Sequence, residues 1–199
     1  MAGSALIVVD MQNDFCPGGA LAVAGGDEIV GPINAMMAAA QAVVLTQDWH
    51  PAEHASFADN HPGTAPFSLT EMAYGPQVLW PRHCVIGTEG AAFHPGLELG
   101  RAELVIRKGF RPGIDSYSAF FDNDRTTPTG LAGYLRERGI GRLSFVGLAH
   151  DFCVAWSAID AARLGFEAEV VEAATRAIDL DGSRERARAA MRAAGVTLA

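Results

Sequence analysis

A thiol, an ammonium and a carboxylate, Cys153, Lys108 and Asp10, are the side chains of this 199-residue chain best suited to nucleophilic chemistry. Cys153 closes the segment Gly147-Leu148-Ala149-His150-Asp151-Phe152-Cys153, just before or at the start of a predicted helix. A helix N-terminus favours a thiolate, and so does a neighbouring ammonium. Lys108 is the only lysine in a chain with fourteen arginines. Arginine cannot give up its proton, whereas a buried lysine is a compact point charge with a tunable pKa. Asp10 is suited to accept the thiol proton and return it to a leaving amine. Unpaired backbone N–H groups in the Cys153 turn can receive a developing oxyanion.

A second group has the composition of a metal site. Asp48 and His50 are two residues apart, which on extended backbone directs both side chains to one face. With His83 or His54 as a further ligand they can hold one divalent ion; zinc is the first expectation, with iron or manganese as alternatives for a carboxylate and imidazoles. His50 and His54 have helical spacing, but Pro51 between them works against a shared helix face. His61 and His94, each followed by proline, read as loop residues.

The elements that position these groups follow from the apolar pattern. Buried strands are predicted at residues 5–9, 42–46, 104–106, 143–147 and 168–171, with a short last one at 196–198. Helices are predicted at about 27–41, 129–138, 153–164 and 183–194, the last with Ser183 as N-cap. This alternation predicts an α/β fold: a single three-layer α/β/α domain spanning 1–199, with a mostly parallel sheet of about six strands. In such sheets ligands bind beyond the carboxyl ends of the strands. Asp10, Asp48 with His50, Lys108 and Cys153 follow four successive predicted strands. Residues 48–101 form a long insertion holding five of the six histidines and two of the three tryptophans, and so read as a metal- and substrate-binding wall.

Composition narrows the function. Fifteen basic and 23 acidic residues give a net charge of −8, and eight carboxylates precede the first basic residue, Arg82. That pattern predicts neither a nucleic-acid partner nor a basic-headed targeting peptide. No apolar run approaches the ~18 residues of a membrane span. Three widely spaced cysteines, an odd number, predict a reducing, cytoplasmic setting with a free thiol.

Five stretches in order along the chain then carry a family likeness: Val9-Asp10-Met11-Gln12-Asn13-Asp14-Phe15; Gln47-Asp48-Trp49-His50-Pro51; Trp80-Pro81-Arg82-His83-Cys84-Val85-Ile86-Gly87-Thr88; Lys108-Gly109 with Asp115-Ser116-Tyr117-Ser118-Ala119-Phe120; and Gly147 through Val154. The sequence resembles the nicotinamidase/pyrazinamidase family of isochorismatase-like cysteine hydrolases. The resemblance implies a catalytic triad of Asp10, Lys108 and Cys153, and a metal held by Asp48, His50 and His83. It further implies an oxyanion hole from the N–H groups of Ala149 and Cys153, a cis peptide at Leu148-Ala149, and substrate contacts from Phe15, Trp80, Tyr117 and Leu148. Hydrolysis of nicotinamide, and of pyrazinamide, to the acid and ammonia within NAD salvage is the expected function. A sibling amidase acting on carbamoyl or ureido groups and a non-catalytic metal- or pyridine-binding protein are the alternatives. The residue types depart from the family at His150 and Phe152, and His54 matches a position near or on the metal in some members. Homo-oligomerisation is left open.

Overall fold

In the computed structural model, which describes residues 2–199, the first apolar run becomes β1 (Gly3–Val9), buried from Ala5 onward. Beside it lie β2 (Val43–Asp48), every residue of which is buried, and β6 (Ile140–Gly147). The sheet is completed by β5 (Leu104–Lys108), β7 (Glu167–Thr175) and β8 (Thr197–Leu198) in the order β5-β2-β1-β6-β7-β8, with every pairing parallel. Four helices flank it: α1 (Val30–Ala39), α2 (Leu131–Glu137), α3 (Ala155–Arg163) and α4 (Ser183–Ala193). The predicted six-stranded parallel sheet with covering helices is thus the observed one. No helix among the described residues is long and apolar enough to cross a membrane.

The strand order reverses between β1 and β6, which opens a crevice at their carboxyl ends. Asp10 leaves β1 with φ 46°. Gly147 ends β6 at φ +107°, where a Cβ would stand 2.1 Å from the Val9 carbonyl oxygen. Only glycine lets the two strands end this close together, and the Leu148 N–H then donates to that same carbonyl at 2.9 Å.

Several boundaries differ from expectation. β2 and β5 each run two residues further because Gln47 pairs with Arg107 and Asp48 with Lys108, so the two reactive groups sit on strand ends rather than after them. The helix expected from Cys153 begins as a π-helical turn, His150–Val154, before α3. Ser183 is the first residue of α4 and makes no cap; its hydroxyl donates to the buried Asp151 carboxylate. The 48–101 segment contains an antiparallel hairpin, β3 (Leu69–Met72) and β4 (Gly75–Val78), which alternating exposure and short length hid from the apolar pattern.

Candidate active site

Lys108 is the centre of the crevice. Register pairing of β2 with β5 brings it beside Asp48, and its fully buried Nζ donates to an Asp48 oxygen, to the Ser116 carbonyl at 3.0 Å and to Cys153 Sγ at 3.4 Å. Asp10 Oδ2 lies 2.8 Å from the same nitrogen, and Asp10 Oδ1 accepts from the Thr46 hydroxyl at 2.5 Å. One oxygen each of Asp10 and Asp48 and the Cys153 sulfur lie within 4.8 Å of one another. Asp10 Oδ2 is thus ion-paired with the same Lys108 nitrogen that donates to Cys153 Sγ.

Charge in this buried volume is set by desolvation against proximity. Burial raises the Asp10 carboxyl to about 6 despite the pull of Lys108. Burial works on Asp48 the same way, but Lys108 together with His50 and His83 holds it well below the usual carboxylate range. Burial opposes the Lys108 charge, yet two adjacent carboxylates outweigh it and keep the ammonium protonated. Burial pushes Cys153 well above its ordinary value, and Asp10 and Asp48 add to that, more than Lys108 can offset. Burial and the two carboxylates thus favour the thiol form of Cys153, because proximity to one ammonium does not by itself make a thiolate when two carboxylates share it.

Asp48, His50 and His83 also meet. The His50 N–H donates to the Cys84 carbonyl at 3.0 Å and the Ile86 N–H to the His50 carbonyl at 2.9 Å, so residues 83–86 run alongside His50. The Nε2 atoms of His50 and His83 lie 3.6 and 3.8 Å from Asp48 Oδ2. Their Nδ1 atoms face the carbonyls of Gly109 at 2.8 Å and Pro81 at 2.7 Å. A carbonyl only accepts, so Nδ1 carries the hydrogen and both Nε2 lone pairs are turned toward Asp48. Burial lowers His83 to about 4, keeping it neutral, while Asp48 outweighs burial at His50 and raises it. The buried His50 Nε2 has no hydrogen-bond partner. An orphaned lone pair, a second imidazole and a carboxylate converging within 4.8 Å fit a divalent cation.

His54 lies beside His50 with ring centroids 4.4 Å apart and the rings tilted by 44°, but its Nδ1 is 2.7 Å from the Ser56 hydroxyl and its Nε2 is 3.3 Å from the Ile114 carbonyl. It falls in a separate grouping with His50 and Asp115. His150 faces β7, its Nδ1 2.9 Å from the Thr175 hydroxyl, and is not part of the cleft wall.

A narrow cleft lies beside Cys153, with Phe15, Trp80 and Tyr117 in its walls. Trp80 meets Phe152 edge-on at 4.8 Å, and Phe152, Asp115 and Ile178 join the lining. Sequence reasoning did not assign these three to the site, because isolated aromatic, acidic and aliphatic residues carry no spacing signal. Leu148 is not among the residues lining the cleft: it is fully buried in the core, where its Cδ1 would stand 3.1 Å from a Cβ at Gly26. The peptide between Leu148 and Ala149 is cis. The Ala149 carbonyl accepts from Phe152 and Val154, skipping Cys153 between them, and the Ala149 N–H donates to no acceptor among the described residues. Both residues line the cleft.

With this geometry in place, comparison with known proteins is specific. The isochorismatase domain model matches residues 4–199. The nicotinamidase of Acinetobacter baylyi is 57% identical over 192 residues, covering 96% of this chain and 90% of that protein. A solved nicotinamidase and pyrazinamidase from Acinetobacter baumanii superposes with TM-score 0.98 at 56% identity, covering 100% of this chain and 96% of that one. A pyrazinamidase of Pyrococcus horikoshii, solved in complex with zinc, matches with TM-score 0.79 at 36% identity over 99% and 98% of the two chains.

Proposed function

Because this chain belongs to the isochorismatase family, and within it stands with the nicotinamidases, we propose that it is a cysteine amidohydrolase converting nicotinamide to nicotinate and ammonia, with pyrazinamide as a second substrate. The reading rests on one observation: a buried thiol that lines an aromatic cleft meets the lone side-chain ammonium, which is ion-paired with a buried carboxylate, beside two imidazoles whose Nε2 atoms face Asp48.

Asp10 takes the proton of Cys153 as sulfur bonds to the carboxamide carbon. Lys108 offsets the charge that would otherwise accumulate on three acidic groups. The Ala149 and Cys153 N–H groups receive the oxyanion, the C–N bond breaks, and ammonia departs with the proton held by Asp10. Water then attacks the thioester, its proton passing through Asp10 to the sulfur, and nicotinate is released. Phe15, Trp80 and Tyr117 enclose the ring. Asp48, His50 and His83 would hold the divalent ion, which supplies a Lewis-acid docking point for the pyridine nitrogen and a positive charge near the cleft. A cytoplasmic place in NAD salvage suits such a reaction.

Ammonia release from nicotinamide, measured with and without chelator and alongside metal analysis, tests the function. Activity that falls with metal content is expected; release only from ureido substrates, or nicotinamide retention without ammonia, overturns it. A sharper test of the metal pocket lies at Gly109. It has φ +68°, its carbonyl accepts from His50, and a Cβ there would stand 2.3 Å from the His50 ring. Gly109→Ala should displace the imidazole and lower metal affinity by about 10- to 100-fold. Unchanged metal content under competition with a chelator would remove His50 from the ligand set.

A further inference from the structure

Gln77 lies on the β3–β4 hairpin, whose Leu69 is 73% exposed, yet Gln77 itself is 1% exposed. Its side-chain amide is fully engaged. The two hydrogens of Nε2 are shared among three acceptors, Asp115 Oδ2 at 2.7 Å, the Val78 carbonyl at 2.7 Å and the Tyr117 hydroxyl at 3.0 Å. Oε1 accepts from Asn123 Nδ2 at 3.1 Å and from the Tyr74 hydroxyl at 3.2 Å. Asn123 closes the circuit, accepting the Tyr117 N–H at 3.0 Å and donating its own N–H to the Asp115 carbonyl at 2.7 Å. Trp80 Nε1 donates to the same Tyr117 oxygen at 3.1 Å.

The targets of this network form one side of the cleft. Asp115, Tyr117 and Trp80 all line it, while Gln77 stands behind them. The Asp115 carboxylate is held by neutral donors, Gln77 Nε2 and the Ser116 N–H at 2.8 Å, so the bond from Gln77 is charge-assisted and strong. The Tyr117 hydroxyl, fixed by two donors, cannot turn without breaking one of them.

We propose that Gln77 is a positioning residue for substrate binding: its amide sets the orientation of Asp115 and Tyr117, which makes the hairpin part of the wall that recognises the ring. The proposal rests on the reading that this cleft receives a pyridine carboxamide. The sulfur is held by Lys108 and the π-helical turn, and none of the Gln77 side-chain hydrogen bonds goes to either. Its loss therefore acts on binding rather than on bond making.

Gln77→Glu is nearly isosteric, but it removes the amide donor that Asp115 and Tyr117 share and opposes Asp115 with a second carboxylate. In steady-state kinetics on nicotinamide it should raise KM about tenfold or more with kcat within about threefold of the parent, the cost of one charge-assisted hydrogen bond. Nicotinate affinity, measured by calorimetry, should fall by a similar factor. Gln77→Met carries the same expectation and serves if the Glu variant does not accumulate as folded protein. Leu69→Ser, on the exposed face of the hairpin, should leave KM unchanged. A merely architectural residue gives another pattern, in which a smaller folded fraction lowers Vmax with KM intact, and that result overturns the proposal. A parent protein that hydrolyses nicotinamide while both variants keep its KM defeats the Gln77 assignment alone. A parent that releases no ammonia defeats the functional reading and this proposal with it.

Discussion

Cys153→Ala is expected to reduce ammonia release to background, a loss on the order of 10³- to 10⁶-fold, in a chain that stays folded and keeps its metal. No other thiol can substitute. Cys16 and Cys84 are buried, neither lines the cleft, and burial pushes both upward, Cys16 to about 11. The metal pocket does not depend on the sulfur, because the His50 and His83 rings are oriented by the Gly109 and Pro81 carbonyls. Lys108 loses one of four contacts and retains Asp10, Asp48 and the Ser116 carbonyl. A coupled ammonia assay on metal-analysed protein decides the point. Turnover near the parent rate would move the nucleophile elsewhere, and loss of metal together with activity would mean that the substitution had disturbed the pocket rather than the chemistry.

Lys108→Met should have the next largest effect, on stability as well as rate. Lys108 is the only cation set between two buried carboxylates, and removing one partner of a buried ion pair costs about 3–5 kcal/mol because the remaining charge is left uncompensated. In a chain of this size that lowers Tm by roughly 6–20 °C. The pH dependence separates charge from packing. Without the ammonium, Asp10 and Asp48 repel, and their folded-state pKa values rise above those of the unfolded chain. The folded variant then binds more protons than the unfolded one between those values, and its stability is recovered as pH falls through the raised pKa. The Tm difference between variant and parent should narrow from pH 7 toward pH 5; a pH-independent gap would show that lost packing, not unpaired charge, carries the cost.

The parts of the fold legible in the sequence were those with a strong apolar signal ending in a reactive residue. Val8-Val9-Asp10 and Val43 through Asp48 announce both the strand and the group it delivers, so the parallel sheet and its reactive edge could be read directly. Asp48, His50 and His83 were readable as ligand types, but the backbone bonds that carry residues 83–86 alongside His50 were not. The hairpin escaped notice because Leu69-Thr70-Glu71-Met72 and Gly75-Pro76-Gln77-Val78 are short, include a proline and expose much of their surface. Gln77, Asp115 and Phe152 gain their importance from partners distant in sequence, which no spacing rule detects. The helix terminus and the ammonium weighed for Cys153 are opposed by burial and two carboxylates, which favour the thiol whose proton Asp10 is suited to accept.

The burial of Lys108 has a consequence for the molecule's exterior. Since it is the chain's single lysine, the folded surface presents no lysine amine at all. Acylating reagents that target such amines can modify residue 108 only after the sheet edge has opened, so the rate of its labelling reports how often the native structure comes apart.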